Sequence, residues 1–149
     1  MGYTLQAIII PVSLREHAVK RGLSCVRLAG SDLCLIPLAA DQIETLDIPF
    51  LPLTDGGKAT IGPDLDTLCR AMSINVKFAY VEAEFFGGAG TQGFALYENG
   101  APASAPTVHA EAINQALRWL GVRHESNKDE FDTIGLGTHR STSGWLKTK

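Results

Sequence analysis

Two carboxylates standing two residues apart, Glu82 and Glu84, are the groups whose type and spacing best suit chemistry. They lie in FAYVEAEFF, which runs through GGAG into TQGFALYENG. On an extended strand they share one face and sit roughly 6–7 Å apart. Carboxyl pairs separated by ~5–9 Å can hydrolyse a glycosidic bond, one as acid and the other as base or nucleophile. That chemistry needs a group whose pKa is raised by an apolar pocket. Here the face offers Tyr80 and Tyr97 rather than an evident cleft. Two readings follow: a hydrolase-like acid–base pair beneath the loop at 55–58, or an acidic face open to solvent or to a cationic partner.

Other reactive types are more scattered. The GGAG run at 87–90 could approach a phosphate, but it feeds a strand and lacks both GK[ST] and GxGxxG, so it reads as a hairpin turn. His17, His109, His124 and His139 form no HxH, HxxxH or Cys–His spacing, so neither a metal nor another cofactor is expected. There is no GxSxG elbow. A Cys–His or Ser–His dyad stays open, because such groups meet in space rather than in sequence. Cys25, Cys34 and Cys69 are odd in number and read as reduced, buried thiols. In the tail, Asp129, Glu130 and Asp132 surround Phe131. The ring is either an anchor for a partner flanked by steering charge, or it folds back onto the core and leaves the acids in water.

The elements that position these groups start with a hairpin over 78–100. With its loop at 87–90, Phe86 faces Thr91, Glu84 faces Gly93 and Glu82 faces Ala95. Val81, Ala83 and Phe85 then form a core layer against Leu96, Phe94 and Gln92. A one-residue slip would bury both acids at several kcal/mol, so the acidic face is expected to be open. Strands are also expected over 5–10, 23–29 and 33–38, with a turn at Gly30-Ser31-Asp32. Helices are expected over 14–21, capped by Ser13 and Glu16 and stopped by Gly22, and over 41–46, 64–73 and 107–120. Leu65, Leu68, Cys69 and Met72 make one apolar stripe; Gly121 and Val122 should close the last helix in a Schellman-like cap. The segment 48–62 is irregular and is expected to be mobile. The result is one α+β domain over 1–149: a mainly antiparallel sheet of about five strands, with three to four helices chiefly on one face.

At 149 residues, with 45% hydrophobic and 19% charged content, the chain can build a proper core. A net charge of −3 without clustered Lys or Arg argues against nucleic acid. No apolar run approaches ~20 residues, so no membrane span is expected. The short run 7–12 follows no basic segment, so no signal peptide is expected and the location is cytoplasmic.

Over residues 78–140 the combination AEFFGGAGTQGFALYENG, INQALRWLGV and DEFDTIGLGTHR resembles small bacterial immunity proteins of polymorphic and contact-dependent toxin systems. The resemblance implies a binding role: neutralising one cognate toxin domain by covering its active site, with a basic nuclease as the toxin that acidic groups suit. Glu82, Glu84, Asp129, Glu130 and Asp132 would then supply charge complementarity, with Tyr80, Tyr97 and Phe131 as anchors.

Overall fold

The strand Tyr3–Pro11, β1, is apolar at every position from Leu5 to Ile10 except Gln6, and it is buried on both faces. A strand of that composition belongs in the middle of a covered sheet, and it lies there in the computed structural model, which describes residues 2–86 and 89–148. The other strands are β2 (Val26–Arg27), β3 (Leu33–Pro37), β4 (Lys77–Phe86), β5 (Ala89–Glu98), β6 (Ala101–Pro102) and β7 (Thr107–Val108). The helices are α1 (Arg15–Lys20), α2 (Ala40–Leu46), α3 (Pro63–Met72), α4 (Ala112–Trp119) and α5 (Glu130–Thr133). The fold is α+β, with an antiparallel seven-stranded sheet ordered β2-β3-β1-β4-β5-β6 and β7 added beside β6 on β5.

The sheet is wider than the sequence suggested, and helices cover both of its faces rather than chiefly one. On one face, Leu5, Ala7, Ile9 and Val81 pack under Ile113 and Leu117 of α4, with Leu136 and Trp145 beyond. On the other, Ile8, Ile10, Phe78 and Tyr80 pack under Leu65, Cys69 and Met72 of α3. Each fully buried Ile or Leu side chain contributes about 1.5–3 kcal/mol relative to exposure. Two such layers explain how short helices can be held.

Several boundaries move. The hairpin pairs Glu84 with Thr91 and Glu82 with Gly93, two residues from the expected register. An even shift keeps every side chain on its expected face. Phe86 pairs with Ala89, so the connection is Gly87–Gly88, half of the expected turn, and it lies outside the described residues. The strand expected over 23–29 narrows to β2. The chain enters α1 through a 3-10 turn, Val12–Leu14, with no side-chain cap, so Ser13 and Glu16 form no capping box.

The helix expected over 107–120 starts at Ala112. Thr107 and Val108 instead pair with Phe94 and Gly93 as β7, and the Gln92 side-chain oxygen then accepts from Ile113 N at 2.9 Å, capping the helix from the sheet. Its far end is as expected: Gly121 N donates to Arg118 O and Val122 N to Leu117 O, a Schellman closure with Val122 packed on the core.

Beyond Ala7, β3 no longer accompanies β1. Residues 140–142 take its place: Thr4 N donates to Arg140 O, and Gln6 N donates to the Thr142 hydroxyl.

Candidate functional site

Gln6, Glu82 and Gly93 stand side by side across β1, β4 and β5 on one face. The segment 49–54 lies directly over them. It can do so because Gly93 has no side chain; a Cβ there would come within 3.2 Å of Leu53 Cβ. Gln6, fully buried, donates to Pro49 O at 2.9 Å and accepts from Leu51 N at 3.2 Å. Glu82, also fully buried, accepts from Leu53 N at 3.1 Å, Thr54 N at 2.9 Å, the Thr54 hydroxyl at 2.9 Å and the Tyr80 hydroxyl at 2.6 Å. Burial, then the neighbouring Glu82 charge, hold the Tyr80 pKa well up, so its hydroxyl remains a donor.

Glu82 is therefore not on an open face. The expectation failed because it assumed water above that side of the sheet, where a loop sits instead. Within the segment 48–62, expected to be mobile, residues 49–54 are tied to the sheet by these hydrogen bonds. Leu51, fully buried at φ 41, sits in the left-handed region and is held there by Gln6. A carboxylate with four protein donors is satisfied as a loop anchor, and offers little to a substrate.

Glu84, one step further along the same face, is in a different setting. It is half-buried beside Asp55, and its pKa is raised by desolvation first and then by the Asp55 carboxylate. Neither acid makes an ion pair among the described residues. Phe86 follows on the same face with 62% of its surface exposed. Asp55, Glu84 and Phe86 are the acidic–aromatic surface that the fold assembles.

The remaining predicted binding residues are mostly engaged internally. Tyr80 and Tyr97 are buried, Tyr97 donating to Asp66 Oδ1 at 2.6 Å. Glu130 is buried, with Arg118 at 3.9 Å. Phe131 folds back edge-on to Tyr3, centroids 5.6 Å apart, and its N–H donates to Asn114 Oδ1. Asp129 is exposed but caps α5 by accepting from Asp132 N, and it also accepts from Asn114 Nδ2. Asp132 faces solvent. The anchors Tyr80, Tyr97 and Phe131, and the acids Glu82 and Glu130, are thus corrected to structural positions.

Sequence reasoning missed Gln6, Asp55 and Phe86. A lone glutamine inside LQAIII is a buried polar group that demands a partner, which was a usable signal. For Asp55 the hydrolase-like reading did place the loop at 55–58 over the acid pair, but it singled out no side chain of that loop, and the contact with Glu84 depends on the loop's path.

Among the described residues, no group of three or more His, Cys, Asp or Glu is arranged to hold a metal, and no helix is long and apolar enough to cross a membrane. The three cysteines are buried and unbridged. Comparison with protein families, curated proteins and solved structures finds no match.

Proposed function

We propose that this chain is an immunity-type inhibitor that binds a basic toxin domain in the cytoplasm through the surface formed by Asp55, Glu84 and Phe86. The supporting observation is the Asp55–Glu84 contact beside an exposed ring. Desolvation, and then the Asp55 carboxylate beside it, raise the cost of ionising Glu84. An incoming Lys or Arg removes that cost, while Phe86 supplies apolar area that desolvates the pair. Asp132 adds longer-range attraction. Covering a nuclease active site with such a surface would oppose the cationic groups that hold its phosphate substrate. The hydrolase alternative loses support because Glu82 is saturated by Leu53, Thr54 and Tyr80.

The test is capture of the partner from the native host with wild-type protein and with a Asp55→Asn/Glu84→Gln/Phe86→Ser variant. The expected result is a co-purifying protein whose affinity for wild type falls with added salt. The variant should bind it at least about tenfold more weakly and with a flatter salt dependence. Equal binding by the folded variant would refute the surface. Turnover of a soluble substrate that disappears on Glu84→Gln would refute the inhibitor reading.

A further inference from the structure

A cleft of about 400 Å³ opens where α3, β5 and the segment 101–106 meet, and none of its lining residues belongs to the Asp55, Glu84 and Phe86 surface. Its floor is Ile61, Ala95 and Tyr97, and its walls include Pro63, Pro102 and Pro106. Proline has no N–H and a fixed φ, so these walls are short of backbone donors and rigid. On this face of β5 the residues run Gly93, Ala95, Tyr97. Leu53 fills the space over Gly93, whereas the space by Ala95 stays open.

One end of the cleft is polar and partly exposed, the Arg70 side chain at 49% and Asp66 at 35%. Tyr97, from the sheet, donates to Asp66 Oδ1 at 2.6 Å, and Arg70 Nε donates to Asp66 Oδ2 at 2.8 Å. Asp66 is thus tied to both β5 and the next turn of α3, and it fixes the guanidinium in turn. Burial pushes the Asp66 pKa up, but the bonds from Tyr97 and Arg70 together outweigh this and hold it below the usual carboxylate value. Arg70 spends only its Nε–H on Asp66. Its Nη1/Nη2 edge has no hydrogen-bond partner among the described residues. That edge of a guanidinium matches a carboxylate in bidentate geometry. A cationic ligand fits poorly, because both Asp66 oxygens already accept from the protein and Arg70 stands beside them.

We propose that this cleft binds a small apolar carboxylate, its hydrocarbon or aromatic body lying against Ala95 between the prolines and its carboxylate on the Nη edge of Arg70. Asp66 and Tyr97 are positioning residues that hold the guanidinium in place. The volume falls within the range of small-molecule clefts.

The test is titration of ¹⁵N-labelled protein with 4-phenylbutyrate and with 4-phenyl-1-butanol, its neutral counterpart. Expected are saturable shifts at the Ala95, Tyr97 and Arg70 amides, with the acid binding roughly tenfold or more tightly than the alcohol. Arg70→Gln should bring the acid's affinity down to the alcohol's and leave the alcohol's unchanged. Arg118→Gln, outside the cleft, should change neither. Ala95→Val, which fills the floor, should abolish both while the rest of the spectrum stays folded. The proposal is overturned if neither compound gives saturable shifts, if acid and alcohol bind alike to wild type, or if the shifts gather instead at a second apolar groove, lined by Leu38, Ile43 and Phe50. Any of these results leaves the docking reading for Glu84 and Phe86 untouched.

Discussion

A carboxylate accepting from Leu53, Thr54 and Tyr80 cannot become an amide without turning a donor toward a donor. Glu82→Gln should therefore cost about 2 kcal/mol. Glu82→Ala, which strands all these donors, should cost about 3 kcal/mol or more. Urea unfolding midpoints measure both, and wild-type midpoints would remove Glu82 from its role as anchor. Glu84 behaves oppositely. Its folded-state pKa lies above the model-compound value of 4.5, so the folded protein holds that proton more tightly than the unfolded chain. Stability then falls as pH rises from 4.5 through the raised value and stays lower above it. Glu84→Gln should be more stable than wild type at neutral pH, with the gain vanishing below pH ~4. Unfolding followed across pH 3–8 decides this; a gain that persists at the acid end would contradict it. The alternation in VEAEFF placed both acids on one face correctly. It could not tell which face met water, because that depends on a loop far away in sequence.

At the scale of elements, the loop over the sheet depends on a missing side chain. Gly93→Ala puts a Cβ 3.2 Å from Leu53 Cβ and 3.4 Å from Thr107 O, and Leu53 cannot retreat without stretching its bond to Glu82. The substitution should cost about 1–2 kcal/mol. It should also speed tryptic cleavage after Lys58, an exposed residue of the same loop. Unchanged cleavage would show that the loop is held elsewhere. Elements governed by near neighbours in sequence were legible: α3 begins at Pro63 with Asp64 and Asp66 in its first turn, and the end of α4 is set by Gly121. Elements governed by distant partners were not. Thr107 and Val108 look like the approach to a helix, but Gly93 and Phe94 across the sheet recruit them as a strand.

For the whole molecule, the decisive arrangement is a sheet covered on both sides, with β1 and β4 innermost. Native-state hydrogen exchange should find its slowest amides at 5–10 and 79–83, opening only with global unfolding, and faster exchange in α2, which has no buried residue. Protection in α2 equal to that of β1 would be inconsistent with this architecture. The fold class could be read from the sequence because long apolar runs and turn residues are local. The division of helices between two faces could not, because a stripe such as Leu65, Cys69 and Met72 shows that a helix packs but not on which side of the sheet. Nor has the 48–62 segment a period to reveal that it lies over Gln6 and Glu82.

The replacement of β3 by residues 140–142 beside Thr4 and Gln6 has a consequence for biosynthesis. A ribosome releases β1 before residues 136–142, so the Tyr3 hydroxyl must wait for Leu136 O and the Gln6 backbone N–H for the Thr142 hydroxyl. Until α4 and then Trp145 are translated, the side of β1 carrying Leu5, Ala7 and Ile9 lacks the residues that cover it. The fold thus closes only when segments made late come back to a strand made well before them.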